Sequence, residues 1–157
     1  MKSWEKFLDF EALLPNQLQF KLNTEKQGAL KLEFSNMGKY LAVACTKKSS
    51  WTIIRIFDVE DEGCKEKVVM SGHNDLIHDM NWSTDDNYLV TASGDCSAKI
   101  WKLHEKDKDI SDNLNYTEND NRFLMTKPLM HPSYVYSAKI HPEMIPGQII
   151  IATACFD

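Results

Sequence analysis

At 157 residues, with 43% apolar and 26% charged residues, the chain has the balance of a globular domain, and that balance excludes wholesale disorder. Its net charge of −5 comes without a basic stripe, so a nucleic-acid backbone is not the expected partner and the mild acidity reads as a solvated surface. Apolar runs such as 149–152 fall far short of the roughly 20 residues of a spanning helix, and the acidic residues that follow the N-terminal Met-Lys-Ser-Trp exclude a signal-peptide apolar region, which together point to an intracellular protein.

In chain order, Trp4, Phe7, Leu8, Phe10 and Leu13 lie at loosely helical spacing, with Ser3 placed to cap the turn and Pro15 to end it. Residues 1–15 are therefore expected as a helical or strap segment packed on the fold, with a partner-binding helix as the alternative. A short strand candidate at 19–22 precedes a first unit of strands at 30–34, 40–45, 52–57 and 67–70. Polar turns separate these strands, the first closing on Gly38. Trp51, in the turn before the third strand, is a loop aromatic; local packing is its simpler reading and a partner contact its functional one.

The same grammar recurs. Strands at 77–82, 88–93 and 97–101 are separated by the turn 83–87 and by Gly94-Asp95-Cys96, and 122–126 completes this second unit. Between them, 104–121 is crowded with Asp, Asn, Lys and Glu and reads as an inserted surface loop. A third unit opens with 134–140, turns at His141-Pro142 and continues at 148–153. The equivalent positions Phe34, Trp82 and Ile140 are 48 and 58 residues apart, and the insertion accounts for the longer interval. The units run over about 28–71, 72–127 and 128–157, the last truncated.

The four cysteines, Cys45, Cys64, Cys96 and Cys155, form no C-x-x-C pair and have no metal-ligand spacing, so reduced structural thiols are expected. A metal site built from His73, His78 and Cys96 is disfavoured for the same reason, and no metal or other cofactor is expected.

Gly72-His73 followed 28 residues after the histidine by Trp101 resembles the WD40 repeat. The resemblance implies an all-β fold, a partial WD40 β-propeller of about two and a half four-stranded blades spanning 16–157. Complete propellers have about four to eight blades, and an open array leaves strand edges unpaired, so the sequence is expected to be part of a longer chain. The resemblance also implies a buried structural tetrad of His73, Ser93, Asp95 and Trp101. The chemistry suits burial: a carboxylate needs donors, an imidazole N–H and a hydroxyl supply them, and an indole N–H needs an acceptor. A hydrolytic reading of His73, Ser93 and Asp95 is disfavoured, because a nucleophilic serine must face a cleft and this one lies inside a strand. The first unit has Cys45 at the serine position and Phe57-Asp58 at its end; the third has His131, Cys155 and Asp157 as a partial tetrad.

A narrower resemblance rests on GHNDLIHDMNWSTDDNYLVTASGDCSAKIWK together with HPSYVYSAKIHP, which is similar to the WD40 region of the jouberin family. The stretch Leu14-Pro15-Asn16 with Phe20-Lys21-Leu22-Asn23 is similar to the opening of that propeller. Tyr134, Tyr136 and His141 are not demanded by the repeat, so Tyr134 and Tyr136 join Trp51 as candidate partner contacts. This resemblance implies a non-catalytic, cytoplasmic scaffold that works in cilium assembly at the transition zone or basal body, with transition-zone proteins as partners and no small-molecule substrate. The alternative is a WD40 substrate receptor or adaptor, as in a ubiquitin ligase, which would show a basic cluster for phosphopeptides; no such cluster stands out.

Overall fold

The computed structural model describes residues 21–22, 24, 28–46, 52–60, 64–103, 123–125, 127–143 and 145–157. Among them the chain runs through β1 (Ala29–Phe34), β2 (Tyr40–Thr46), β3 (Thr52–Asp58), β4 (Lys65–His73), β5 (Ile77–Trp82), β6 (Tyr88–Ser93), β7 (Ser97–Leu103), β8 (Phe123–Met125), β9 (Leu129–Met130), β10 (Val135–Ile140) and β11 (Ile151–Cys155). Three antiparallel sheets result: β1-β2-β3-β4, then β5-β6-β7 with β8 and β9 both paired to β7, then β10-β11. The expected segments 1–15 and 104–121 and the loop residue Trp51 lie outside the described residues, as do residues 19 and 20 of the first strand candidate.

The inner strands are apolar on both faces because a sheet or core lies on each side. Tyr-Leu-Ala-Val-Ala-Cys-Thr in β2 is buried through its middle five residues, and β6 is buried over its last five. Ala42, Ala44, Ile54, Ile56 and Met70 of the first sheet pack against Ile77, Met80, Trp82, Leu89 and Trp101 of the second. The far face of the second sheet, Val90, Ala92 and Ala98, packs against Val135, Ala138 and Ile140 of the third. On the outer side of the first sheet, Leu41, Val43, Cys45, Phe57 and Cys64 form a third cluster with Leu22 packed on it.

Polar clips hold the sheets in register. Asp79 on β5 receives the Lys31 ammonium from β1 at 3.1 Å, the Lys139 ammonium from β10 at 2.9 Å and the Ser137 hydroxyl at 2.7 Å. Burial opposes its charge, but the serine and the two lysines together hold its pKa below the usual carboxylate value. The turns interlock as well. Gly38 and Asp86 occupy the same left-handed position of the first turn in their units, at φ 78° and 57°. Asp86 accepts that backbone, where glycine is at ease, while its carboxylate takes the Asn36 and Met37 amides of the neighbouring turn at 2.7 and 2.9 Å.

The strand expected at 148–153 is corrected to Ile151–Cys155. Pro146-Gly147 closes a tight turn across the Ile145–Gln148 bridge, with Gly147 at φ 77°, so pairing with β10 resumes only at Ile151. The strand expected at 67–70 is longer, and its end carries His73.

Candidate functional site

β4 delivers His73 to the junction of the first and second sheets, where it is almost fully buried. Its Nδ1 lies 2.8 Å from Asp95 Oδ2 and its Nε2 lies 2.7 Å from Thr91 Oγ1. The Trp101 indole N–H donates to the same Thr91 oxygen at 3.0 Å. Burial depresses the His73 pKa, outweighing the nearby Asp95 carboxylate. A neutral ring fits every contact: Nδ1–H donates to Asp95, which can only accept, and Nε2 accepts from the Thr91 hydroxyl. The chain of donors thus runs Trp101, Thr91, His73, Asp95. Burial would raise the Asp95 pKa, but hydrogen bonds from His73 and Ser97, with the Asn74 amide, hold it far below the usual carboxylate range. Nearby, the Lys99 ammonium donates to the Gly72 carbonyl and lies 4.0 Å from Asp95.

The hydroxyl in this chain is Thr91, so the assignment of Ser93 to that place is corrected. Ser93 stands two residues farther along β6, opposite Ile77, and the indole bonds Thr91 instead. There its hydroxyl donates to the Asp75 carbonyl at 3.2 Å and accepts the Asp95 amide at 3.2 Å. The Thr52 hydroxyl donates to the same carbonyl at 2.9 Å, so the two side chains brace one loop from adjacent sheets. Thr91 Oγ1 is committed on both sides inside a wholly buried residue, an arrangement that holds neighbouring strands together. Among the described residues, no three His, Cys, Asp or Glu side chains gather to hold a metal ion.

The third unit needs the same correction. Thr153 faces Ala138 as Thr91 faces Met80, and Asp157 follows Thr153 at the spacing by which Asp95 follows Thr91. The hydroxyl position is therefore Thr153, whereas Cys155 matches Ser93 and its thiol points to the Ser133 carbonyl at 3.6 Å. His131 Nε2 is buried without a hydrogen-bond partner among the described residues. In the first unit Cys45 again matches Ser93, and Val43 stands at the threonine position. The signal that could have found Thr91 is in the sequence: a hydroxyl four residues before the turn aspartate recurs at Thr153.

Both titrating groups make the fold acid-sensitive. Folding lowers the His73 pKa below 6.5, so the unfolded chain binds the extra proton; this stability is complete above pH 6.5 and is lost as pH falls through the folded value. Asp95, also depressed, contributes above pH 3.8 and loses its contribution in stronger acid. The urea midpoint of the full-length protein is expected to drop below pH 6.5, and the gap to a His73→Gln variant to narrow. A gap that stays constant between pH 7.5 and 5 contradicts a neutral buried His73.

A second feature lies at one edge of the sheets. The register slips at the same place in every unit, between Ala29 and Lys31, Ile77 and Asp79, and Val135 and Ser137. The extra residues, Leu30, His78 and Tyr136, are each thrown out of the ladder and exposed. His78 and Tyr136 rings lie 5.3 Å apart, and Phe156 meets Tyr136 edge-on at 6.3 Å. Tyr134 is 50%, Tyr136 49% and Phe156 70% exposed. Leu30, His78 and Phe156 are not among the expected partner contacts; for Leu30 and His78 only the pairing reveals the bulge.

A family profile described as "WD domain, G-beta repeat" matches residues 64–102. Mouse jouberin is 32% identical over 154 residues, 98% of this chain, and the chain spans 13% of its length. A Tetrahymena thermophila relative, cilia- and flagella-associated protein 57 C, is 30% identical over half of the chain, which covers 6% of that relative. Among solved structures, the β-propeller domain of Cps50 (Swd1) from Myceliophteria thermophila superposes with TM-score 0.59 at 23% identity, over 85% of this chain and 33% of that one. The antiparallel sheets of four, five and two strands therefore match part of a β-propeller.

Proposed function

From the premise that this chain is a WD40-repeat protein, we propose that it works as a non-catalytic scaffold whose bulged edge binds other proteins. The observation that carries the reading is the row of exposed side chains at that edge, Leu30, His78 and Tyr136, with Tyr134 and Phe156 beside the last. Exposed aromatics on a rigid frame are costly to leave in water and are the residue types that dominate protein interfaces. The buried chain from Trp101 to Asp95 keeps that frame rigid; its groups are spent on one another. The sheets that begin at Ala29, Ile77 and Val135 serve as successive blades, the first running to His73 and the second taking in Leu129–Met130.

The finer reading is a role in cilium assembly at the transition zone or basal body, with proteins of that site as partners. Its support is the similarity to mouse jouberin along nearly the whole chain, together with the match to a cilia- and flagella-associated protein. No helix among the described residues is long and apolar enough to cross a membrane.

The test is localisation of the tagged full-length protein beside a marker of the ciliary base, with recovery of associated proteins from wild type and Tyr136→Ala. Signal at the ciliary base and partners lost from the variant are expected. A diffuse or nuclear signal removes the ciliary assignment and favours an adaptor role in another complex, such as a ubiquitin ligase. An unchanged set of partners removes the bulged edge.

A further inference from the structure

We propose that the bulged edge of the third sheet is a docking platform for a proline-rich segment of a partner protein in the polyproline II conformation; the proposal rests on the protein-binding reading above and adds the partner's chemistry. Three positions of each unit meet at that edge. They are the residue before the first strand, the bulged residue, and the residue after or at the end of the second strand whose amide donates back to the first. In the first unit they are Gly28, Leu30 and Thr46, in the second Leu76, His78 and Gly94, and in the third Tyr134, Tyr136 and Phe156. The strands pair with the same slip in all three units, so glycine, leucine and threonine satisfy the fold at these places. The third unit instead sets an aromatic ring at every one of them, and all three residues are exposed. Packing does not require these rings, and water disfavours them, so a partner is their use.

Geometry and charge decide the chemistry. The rings of His78, Tyr136 and Phe156 touch in turn, at 5.3 and 6.3 Å between centroids, and so form one continuous ridged surface. Tyr136 and Phe156 meet edge to face, which leaves no empty centre between them for a cation to enter, as an aromatic cage needs. Charge does not select a partner either. The three aromatics are neutral, and Lys139, farther along β10, is spent on Asp79. Asp157 beside Phe156 holds the place from which Asp95 turns inward to His73. A neutral segment with flat apolar faces suits such a surface, and proline rings supply those faces. A polyproline II chain makes no internal hydrogen bonds, so its carbonyls are free to accept from the tyrosine hydroxyls. It is also stiff before it binds, which keeps the entropy cost of docking on an aromatic surface low.

The test uses the full-length protein and an array of immobilised twelve-residue peptides built from Pro-Pro-Xaa repeats, with every residue type and trimethyl-lysine in turn at Xaa, beside the same peptides with alanine in place of proline. Tighter binding of the proline member of each bound pair is expected. Tyr136→Leu, leucine being what the first unit carries at that place, is expected to weaken the proline peptides about tenfold. Tyr136→Phe, which keeps the ring and loses the hydroxyl, is expected to weaken them about threefold. The position is exposed, so melting temperatures should match wild type. The proposal is overturned by equal binding of proline and alanine peptides, by binding confined to trimethyl-lysine peptides, or by proline-peptide binding that Tyr136→Leu leaves intact. If partner proteins are still lost from Tyr136→Ala in that case, the protein-binding reading stands without it; if they are retained, both fall.

Discussion

Trp101→Ala is expected to destabilise the full-length protein by about 3–5 kcal/mol, the range for truncating a large buried aromatic. Trp101 is 3% exposed and lies in the cluster that joins the first two sheets, so the vacated volume opens between sheets where neither can collapse without disturbing the other. The indole N–H also disappears, and Thr91 Oγ1 loses that donor. A Trp101→Phe control separates the two losses. The first sheet already carries Phe57 at the equivalent place, opposite Leu41 as Trp101 is opposite Leu89, so a phenyl ring suits the packing. The phenylalanine variant is expected to lose about 1–2 kcal/mol. Urea unfolding followed by far-ultraviolet dichroism measures both; a Trp101→Ala variant within about 1 kcal/mol of wild type would mean that the joint between sheets does not depend on this ring.

Most of the strand framework is readable from sequence because each strand combines β-forming residues with a turn whose chemistry is local. Residues 77–82 and 88–93 coincide with β5 and β6 because the polar run between them admits only a turn. The miss at 148–153 has the opposite origin. Gln-Ile-Ile-Ile has strong strand preference, yet Pro146-Gly147 forces a local hairpin first, and partner register, absent from local pattern, decides where pairing resumes. His73, Asp95 and Trp101 were legible through the resemblance, but the choice between Thr91 and Ser93 was not. Both lie in β6, two residues apart and on one face, and only the pairing of β6 with β7, which sets Trp101 opposite Leu89, brings Thr91 and not Ser93 to the indole. Leu30 and His78 of the exposed row escaped because they are set by pairing, while Tyr136 was named only through the resemblance. A bulge is a property of two strands together, and His78 within Ile-His-Asp-Met-Asn-Trp reads as one more outward residue of an alternating strand.

Thr91→Val follows as the sharper test of that assignment. Valine keeps the shape and removes the hydroxyl, so His73 Nε2 loses its donor and Trp101 Nε1 its acceptor inside a residue cluster that water does not reach. Each orphaned group costs about 1–3 kcal/mol, and with partial relaxation the variant is expected to lose about 2–4 kcal/mol. Ser93→Ala is expected to lose only about 1 kcal/mol, because the Asp75 carbonyl keeps the Thr52 hydroxyl. If Ser93→Ala proves the more costly in urea unfolding, the central hydroxyl has been misplaced. The first sheet shows how the loss is compensated. Val43 stands where Thr91 stands and Phe57 where Trp101 stands, both buried, so hydroxyl and indole are absent together and no donor is stranded. The double variant Thr91→Val with Trp101→Phe is therefore expected to lose less than the sum of its single losses, by about 1 kcal/mol or more. Strict additivity would show that threonine and tryptophan stabilise the joint independently, and not through the bond between them.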